Sequence, residues 1–135
     1  MKTKLLTIFS GLIFLSFIVS CNKSDSAAVV VTASVEGKWT GNYNNGIGGP
    51  SYYYALNFKP NGVLVVETNN SLTPDIANGT WTQSGTTVNA TYTYVGSSNV
   101  NSITGNFSNE TKIMTGTIGV GSAVTGAGIF SVAKQ

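Results

Sequence analysis

The side chains able to perform acid–base, nucleophilic or metal chemistry are few in this chain of 135 residues. Histidine is absent and Cys21 is the single cysteine, so the most common general base and the most common metal ligand are missing. The serine and threonine hydroxyls therefore have no histidine to activate them as nucleophiles. The remaining candidates are four carboxylates in the part of the chain expected to fold: Glu36, Glu67, Asp75 and Glu110.

Two carboxylates facing each other across a cleft would suit glycoside hydrolysis. Glu36 and Glu67 fall in predicted strands, and the other two carboxylates fall in a predicted loop and a predicted turn. Solvated outward positions account for them better than a catalytic pair does. We therefore expect a protein that is not an enzyme and that has no metal site and no cofactor.

The aromatic side chains form a second pattern. Read with the two-residue period of a strand, eight of them fall on inward faces: Trp39, Tyr43, Tyr52, Tyr54, Phe58, Trp81, Tyr92 and Tyr94. Tyrosine and tryptophan combine an apolar ring with one polar group, which suits the lining of a small-molecule cavity. The same rings could instead fill a small barrel.

We predict different roles for the two tryptophans and for four of the tyrosines. Trp39 and Trp81 each complete a Gly-x-Trp step, and we predict that both are structural, with Trp39 plugging one end of a closed sheet. Buried tyrosine hydroxyls need hydrogen-bond partners, which either neighbouring Asn and Thr side chains or a polar ligand could supply. The candidate ligand-binding residues are therefore Tyr52, Tyr54, Tyr92 and Tyr94.

Residues 1–20 have the composition of a secretory signal peptide. Lys2 and Lys4 give a positive start, residues 5–19 are predominantly apolar, and Ser20 is a small residue before the expected cleavage point. The apolar run is short for a membrane span, which needs roughly 20 residues. An uncleaved N-terminal anchor is the alternative.

Residues 18–21, Ile-Val-Ser-Cys, resemble the lipobox of bacterial lipoproteins. The resemblance implies a diacylglycerol on the sulfur of Cys21, cleavage before this residue, and acylation of its new amine by a chain such as palmitate. Two or more acyl chains anchor a protein stably, so a membrane is an expected partner. Asn22 follows instead of the aspartate that retains enterobacterial lipoproteins in the inner membrane, which favours the outer membrane. An unpaired thiol is the alternative for Cys21, and residues 21–34 are predicted to form a flexible tether.

The charge of the chain changes once the signal peptide is set aside. All seven basic residues are lysines, and two of them lie in residues 1–20. The five remaining lysines balance five acidic residues. The electrostatic attraction that dominates nucleic-acid binding is therefore missing, and we exclude nucleic acid as a partner.

Residues 35–135 are predicted to form one all-β domain, because strand-like runs alternate with turn residues and no helical period exceeds one turn. Short connections favour pairing between sequential strands. We predict an antiparallel eight-stranded up-and-down barrel, with a β-sandwich as the alternative. The predicted strands cover residues 35–43, 51–59, 63–68, 78–83, 86–95, 100–107, 112–118 and 125–133.

Several of these segments resemble the lipocalin-like domains of bacterial lipoproteins, especially those of Bacteroidetes. The similar segments are residues 36–41, 54–62, 78–82, 103–107 and 114–118. The resemblance implies a calycin barrel whose N-terminal Gly-x-Trp packs across one end. The inward tyrosines favour a module that binds a small apolar or amphipathic ligand; a filled barrel that acts through its polar surface as an accessory subunit of a surface complex is the alternative. Classical lipocalins place an arginine against that tryptophan and add a C-terminal helix, and this chain has neither feature in its sequence.

Overall fold

The computed structural model describes residues 33–46 and 48–135. Apart from one 3₁₀ turn at Pro60–Gly62, the regular elements in these residues are β-strands, and the described part of the chain has no helix long and apolar enough to cross a membrane. The strands are β1 (Gly37–Asn44), β2 (Ser51–Lys59), β3 (Val63–Asn69), β4 (Asp75–Ser84), β5 (Thr87–Tyr94), β6 (Val100–Phe107), β7 (Ile113–Val120) and β8 (Gly128–Lys134).

The eight strands form one closed antiparallel barrel, in which each strand pairs with its neighbours in sequence and β8 pairs with β1. This confirms the predicted up-and-down barrel over the sandwich, and closure leaves no open sheet edge. Because strand direction alternates, the connections divide between two ends. The closed end is where β1 begins and β8 ends, together with the β2–β3, β4–β5 and β6–β7 turns. The open end carries the other four connections.

Side chains alternate between the interior and the surface along the strands, as the two-residue period predicts. The interior is filled by apolar residues that are almost fully buried, including Leu56, Leu64, Val66, Ile103 and Met114. Threonine, asparagine and serine dominate the outer faces. Burying one large aliphatic side chain contributes about 1.5–3 kcal/mol, so this interior provides most of the stabilisation of the closed barrel.

The segment that precedes β1 contacts the closed end of the barrel. β1 begins at Gly37, two residues later than predicted, because Gly37 turns the chain with a φ of +117° that glycine readily adopts. Val35 is fully buried, and its N–H donates to Gln83 Oε1 at 2.9 Å. Gln83 Nε2 in turn donates to the carbonyl of Ala33 at 2.5 Å. Ala33 and Ser34, which were predicted to belong to the tether, therefore contact the closed end of the barrel.

Trp39 lies at the centre of the closed end and is 1% exposed. Its Nε1 donates to the carbonyl of Val35 at 2.7 Å, and its ring meets the edge of Phe107 at 5.8 Å between ring centres. Lys134 Nζ lies 5.4 Å from the Trp39 ring centre and donates to the carbonyl of Ser34 at 3.1 Å. A lysine thus provides the cation–π contact for which the lipocalin resemblance expects an arginine.

Trp81 lies at the same end but is only partly buried. Its ring packs edge-on against Phe58 at 5.6 Å, and its Nε1 donates to the carbonyls of Lys59 and Val63, each at 3.0 Å. These bonds fasten the β2–β3 turn, in which Asn61 has a φ of +63°. Trp39 is thus packed inside this end of the barrel, whereas Trp81 is partly exposed and hydrogen-bonded to the β2–β3 hairpin.

Three strand boundaries at the open end differ from the prediction by two residues or more. The last strand was predicted from residue 125, but β8 begins at Gly128. β4 begins at Asp75 and not at residue 78, because residues 75–77 pair with residues 66–68 of β3 and Ala77 is buried. The predicted loop of residues 69–77 is thereby reduced to 70–74. β7 extends to Val120, and the following loop folds back along the barrel, where Thr117 Oγ1 donates to the carbonyl of Val124 at 2.7 Å.

Two glycines allow neighbouring strands to approach closely. A Cβ on Gly41 would collide with the backbone of Ser131 and Val132 in β8, and a Cβ on Gly79 would collide with the backbone of Thr91 and Tyr92 in β5. Only glycine leaves room for these approaches. The glycines around the two tryptophans therefore shape the barrel wall in addition to leaving space for the rings.

Candidate ligand-binding site at the open end of the barrel

Tyrosine side chains gather inside the open end. Tyr43 lies near the end of β1, Tyr54 lies in β2, and Tyr92 and Tyr94 lie near the end of β5, so the up-and-down topology brings them to the same end. Together they line a cavity of about 200 Å³, which we call the tyrosine cavity. Its lining residues are Tyr43, Asn45, Tyr54, Tyr92, Tyr94, Asn101, Ile118 and Ala127.

A pair of phenols forms the floor of the tyrosine cavity. Tyr54 is fully buried, and its hydroxyl donates to the hydroxyl of Tyr92 at 3.2 Å. Burial raises the pKa of Tyr54 well above its usual value, and the neighbouring Tyr92 hydroxyl adds to this effect. Burial likewise raises the pKa of Tyr92. Both phenols therefore stay neutral at physiological pH, and the floor offers hydroxyl groups and ring faces without a charge.

Tyr43 and Tyr52 form one wall of the open end. They are directly paired between β1 and β2, and their rings stack at 5.3 Å with 30° between the planes. Tyr43 also meets Tyr54 edge-on at 5.5 Å, and its hydroxyl donates to Asn69 Oδ1 at 3.1 Å. Tyr52 therefore packs against the Tyr43 ring and does not itself line the tyrosine cavity.

A wider, open depression of about 750 Å³ adjoins the tyrosine cavity, and we call it the rim depression. The two spaces share Tyr43 and Tyr94 as walls. Asp75 is an exposed carboxylate in this depression, and Asn69 Nδ2 donates a hydrogen bond to its Oδ2. The rim depression is lined by Tyr43, Asn69, Pro74, Asp75, Ile76, Tyr94 and Val95.

The structure brings three of the four sequence-predicted site residues together: Tyr54, Tyr92 and Tyr94 line one cavity, with Tyr52 behind its wall. The predicted structural residues Trp39 and Trp81 lie at the other end. Sequence reasoning placed Tyr43 on an inward face without assigning it to the site, and it missed the polar residues contributed by the loops and by the start of β4. The alternation continues back to Asp75 from Ala77, and this signal could have found it.

The two carboxylates that fall in predicted strands are Glu36, which is exposed before β1, and Glu67 in β3. Glu67 lies outside the barrel, 2.9 Å from Lys38 Nζ, and accepts a hydrogen bond from the Tyr53 hydroxyl at 3.3 Å. Within the residues that the structure describes, no three His, Cys, Asp or Glu side chains are grouped as metal ligands. Cys21 and the predicted signal peptide lie outside those residues.

Comparisons with protein-family models, with curated proteins and with solved structures find no significant match to this chain. The fold assignment therefore rests on strand order and register. An eight-stranded antiparallel closed barrel is consistent with a calycin-like fold.

Proposed function

We propose that this protein is a non-catalytic binding module that holds a small amphipathic ligand at the open end of its barrel. The observation that carries the proposal is the tyrosine cavity adjoining the rim depression, with Tyr43 and Tyr94 as shared walls. Ligand pockets commonly enclose about 300–1,000 Å³, which exceeds the tyrosine cavity alone. The apolar part of the ligand therefore enters the tyrosine cavity, and its polar part lies in the rim depression.

Ala127→Phe tests this proposal by placing a ring in the tyrosine cavity, which Ala127 lines from the β7–β8 loop. We expect the variant to bind the neutral probe N-phenyl-1-naphthylamine at least about tenfold more weakly than the parent protein, measured by fluorescence titration. A tenfold loss corresponds to about 1.4 kcal/mol of binding free energy.

Ala123→Phe is the matched control, since Ala123 is exposed in the same loop and lines neither space. This control should bind the probe like the parent protein. Equal binding by all three proteins, or no binding by the parent, would contradict the proposal.

We further propose that acyl chains on Cys21 attach the module to the outer membrane. The support is the signal-like sequence before Cys21 and its lipobox resemblance. Two or more chains are needed for stable attachment, because each buried CH₂ contributes about 0.8 kcal/mol. Cys21→Ser should therefore move the protein from the membrane fraction to the soluble fraction and remove the acyl mass from its N-terminus. A Cys21→Ser protein that remains membrane-bound would refute the anchor.

A role as an accessory subunit of a surface complex is the second candidate. It is favoured by an uncharged groove of about 810 Å³ on the outside of the barrel, lined largely by asparagine, threonine and serine. A photo-crosslinking residue at Thr115, within this groove, should capture a specific envelope protein if this candidate is right. Absence of a crosslinked partner, or crosslinks only within the protein itself, would reject this candidate.

A further inference from the structure

We propose that the open end selects a cationic amphiphile, with an ammonium or quaternary ammonium head group beside Asp75 and an apolar tail among the tyrosines. This inference rests on the proposed binding function and specifies the class of ligand. It is carried by the distribution of charge, by the placement of the Asp75 carboxylate, and by the aromatic surfaces around it.

The charges of the described residues are unevenly placed. Lys59, Lys112 and Lys134 lie at strand ends or turns of the closed end, and Lys38 is paired with Glu67 on the outer face. Neither the tyrosine cavity nor the rim depression is lined by a lysine, and Asp75 is the one charged side chain that lines them. A carboxylate or sulfate head group would meet no opposite charge there, whereas an ammonium group would.

Backbone pairing and a hydrogen bond position Asp75 in the rim depression at the open end. It shares the inward register of β4 with Ala77 and pairs directly with Thr68 of β3. The Tyr43 hydroxyl donates to Asn69 Oδ1 at 3.1 Å, and Asn69 Nδ2 donates to Asp75 Oδ2. Among the described residues, none donates a hydrogen bond to the second carboxylate oxygen of Asp75, which leaves that oxygen available to a ligand cation.

The surroundings of Asp75 suit a cation. Tyr43 and Tyr94 border both spaces, and tyrosine ring faces attract ammonium groups, most effectively when several rings enclose a quaternary ammonium. Thr68, the cross-strand partner of both Tyr54 and Asp75, is buried, and its Oγ1 has no hydrogen-bond partner among the described residues. Thr68 lines neither space, so the Asp75 carboxylate and the tyrosine rings, and not this hydroxyl, would contact the head group.

The test compares three probes with the same tail, namely octyltrimethylammonium, octyl sulfate and octanol, by isothermal titration calorimetry in low-salt buffer below micelle-forming concentrations. We expect the parent protein to bind the ammonium probe at least tenfold more tightly than the sulfate. Asp75→Asn should remove most of this preference, measured as the ratio of the ammonium affinity to the sulfate affinity. Glu110→Gln is the control, because Glu110 lies in the β6–β7 turn of the closed end, and it should keep the preference.

The possible outcomes separate this inference from the binding function on which it rests. Octanol or N-phenyl-1-naphthylamine binding without preference for the ammonium probe would overturn the cation selectivity alone. No binding of any probe would overturn the proposed function as well. If thermal unfolding shows that Asp75→Asn does not fold, the parent protein still decides: added sodium chloride should weaken ammonium binding by screening, and a preference that does not respond to salt would reject the role of Asp75.

Discussion

Trp39→Ala is expected to lower the free energy of unfolding by about 3–5 kcal/mol, the range for removing a large buried aromatic side chain. Trp39 is 1% exposed, and its ring contacts Phe107 and the Lys134 ammonium. The substitution would also leave the carbonyl of Val35 without its indole donor. Since domains are stable by about 5–15 kcal/mol, a loss of this size would bring a barrel at the lower end of that range close to its unfolding midpoint. Urea titration followed by circular dichroism measures the change.

Trp81→Ala is the matched control for this prediction. Trp81 is also a tryptophan of the closed end, but it is only partly buried, so its removal should cost less than the removal of Trp39. Trp39→Phe should keep part of the packing and fall between the parent and Trp39→Ala. A loss below about 1 kcal/mol for Trp39→Ala, or a larger loss for Trp81→Ala, would show that Trp39 is not the main plug.

Raising the pH above about 10, the usual tyrosine pKa, is expected to destabilise the barrel steeply. Burial raises the pKa of Tyr54 and of Tyr92 in the folded protein. The folded state therefore keeps protons that the unfolded chain releases, so the stabilisation is complete below pH 10 and is lost as the pH rises. Each such tyrosine contributes a slope of about 1.4 kcal/mol per pH unit while it is protonated only in the folded state.

Tyr54→Phe provides the comparison for the alkaline prediction, because it removes one of the two buried titrating groups. Its unfolding free energy should fall less steeply above pH 10 than that of the parent protein, even though the Tyr92 hydroxyl loses its partner. Urea titrations at several pH values give both slopes, and tyrosinate absorbance reports ionisation in the folded state. Equal slopes, or complete tyrosine ionisation near pH 10 without unfolding, would contradict the buried phenol pair.

Much of the barrel could be predicted because its strands and turns are indicated by short stretches of sequence. Alternation in Ser51–Lys59 identified β2 with both of its ends, and Pro60-Asn61-Gly62 identified the turn that follows, since asparagine and glycine accept positive φ. Short connections favoured sequential antiparallel pairing. Eight such strands left a barrel and a β-sandwich open, and the pairing of β8 with β1 decides for the barrel.

The differences from the prediction arise where tertiary pairing outweighs local signals. Residues 75–77 follow a proline and begin with an aspartate, which disfavours a strand locally, yet they pair with β3 and bury Ala77. Residues 35 and 36 alternate like a strand, but the positive φ of Gly37 turns them away from β1. Neither the pairing nor the turn can be read from composition.

Part of the candidate site was predictable because three of its tyrosines lie in strands with clear alternation. Tyr54, Tyr92 and Tyr94 lie within well-patterned strands, so their inward faces were evident. Asp75 and Asn69 could not be assigned to the open end while residues 69–77 were treated as a loop. Ala127 was placed in the last predicted strand, whereas it lies in the connection that precedes β8. The alternation could have placed Asp75 on an inward face, but the register of β3 with β4 was needed to bring Asn69 and Asp75 together at the open end.

The most direct test of ligand binding at the open end is an NMR titration of the isotope-labelled domain with N-phenyl-1-naphthylamine. We expect the largest shifts at the amides of Tyr43, Tyr94 and Ala127, with little change in the indole N–H signals of Trp39 and Trp81 at the closed end. These two indoles are internal reporters, because each is hydrogen-bonded at the closed end. Shifts centred on the tryptophans, or no saturable shifts at the open end, would contradict the proposed site.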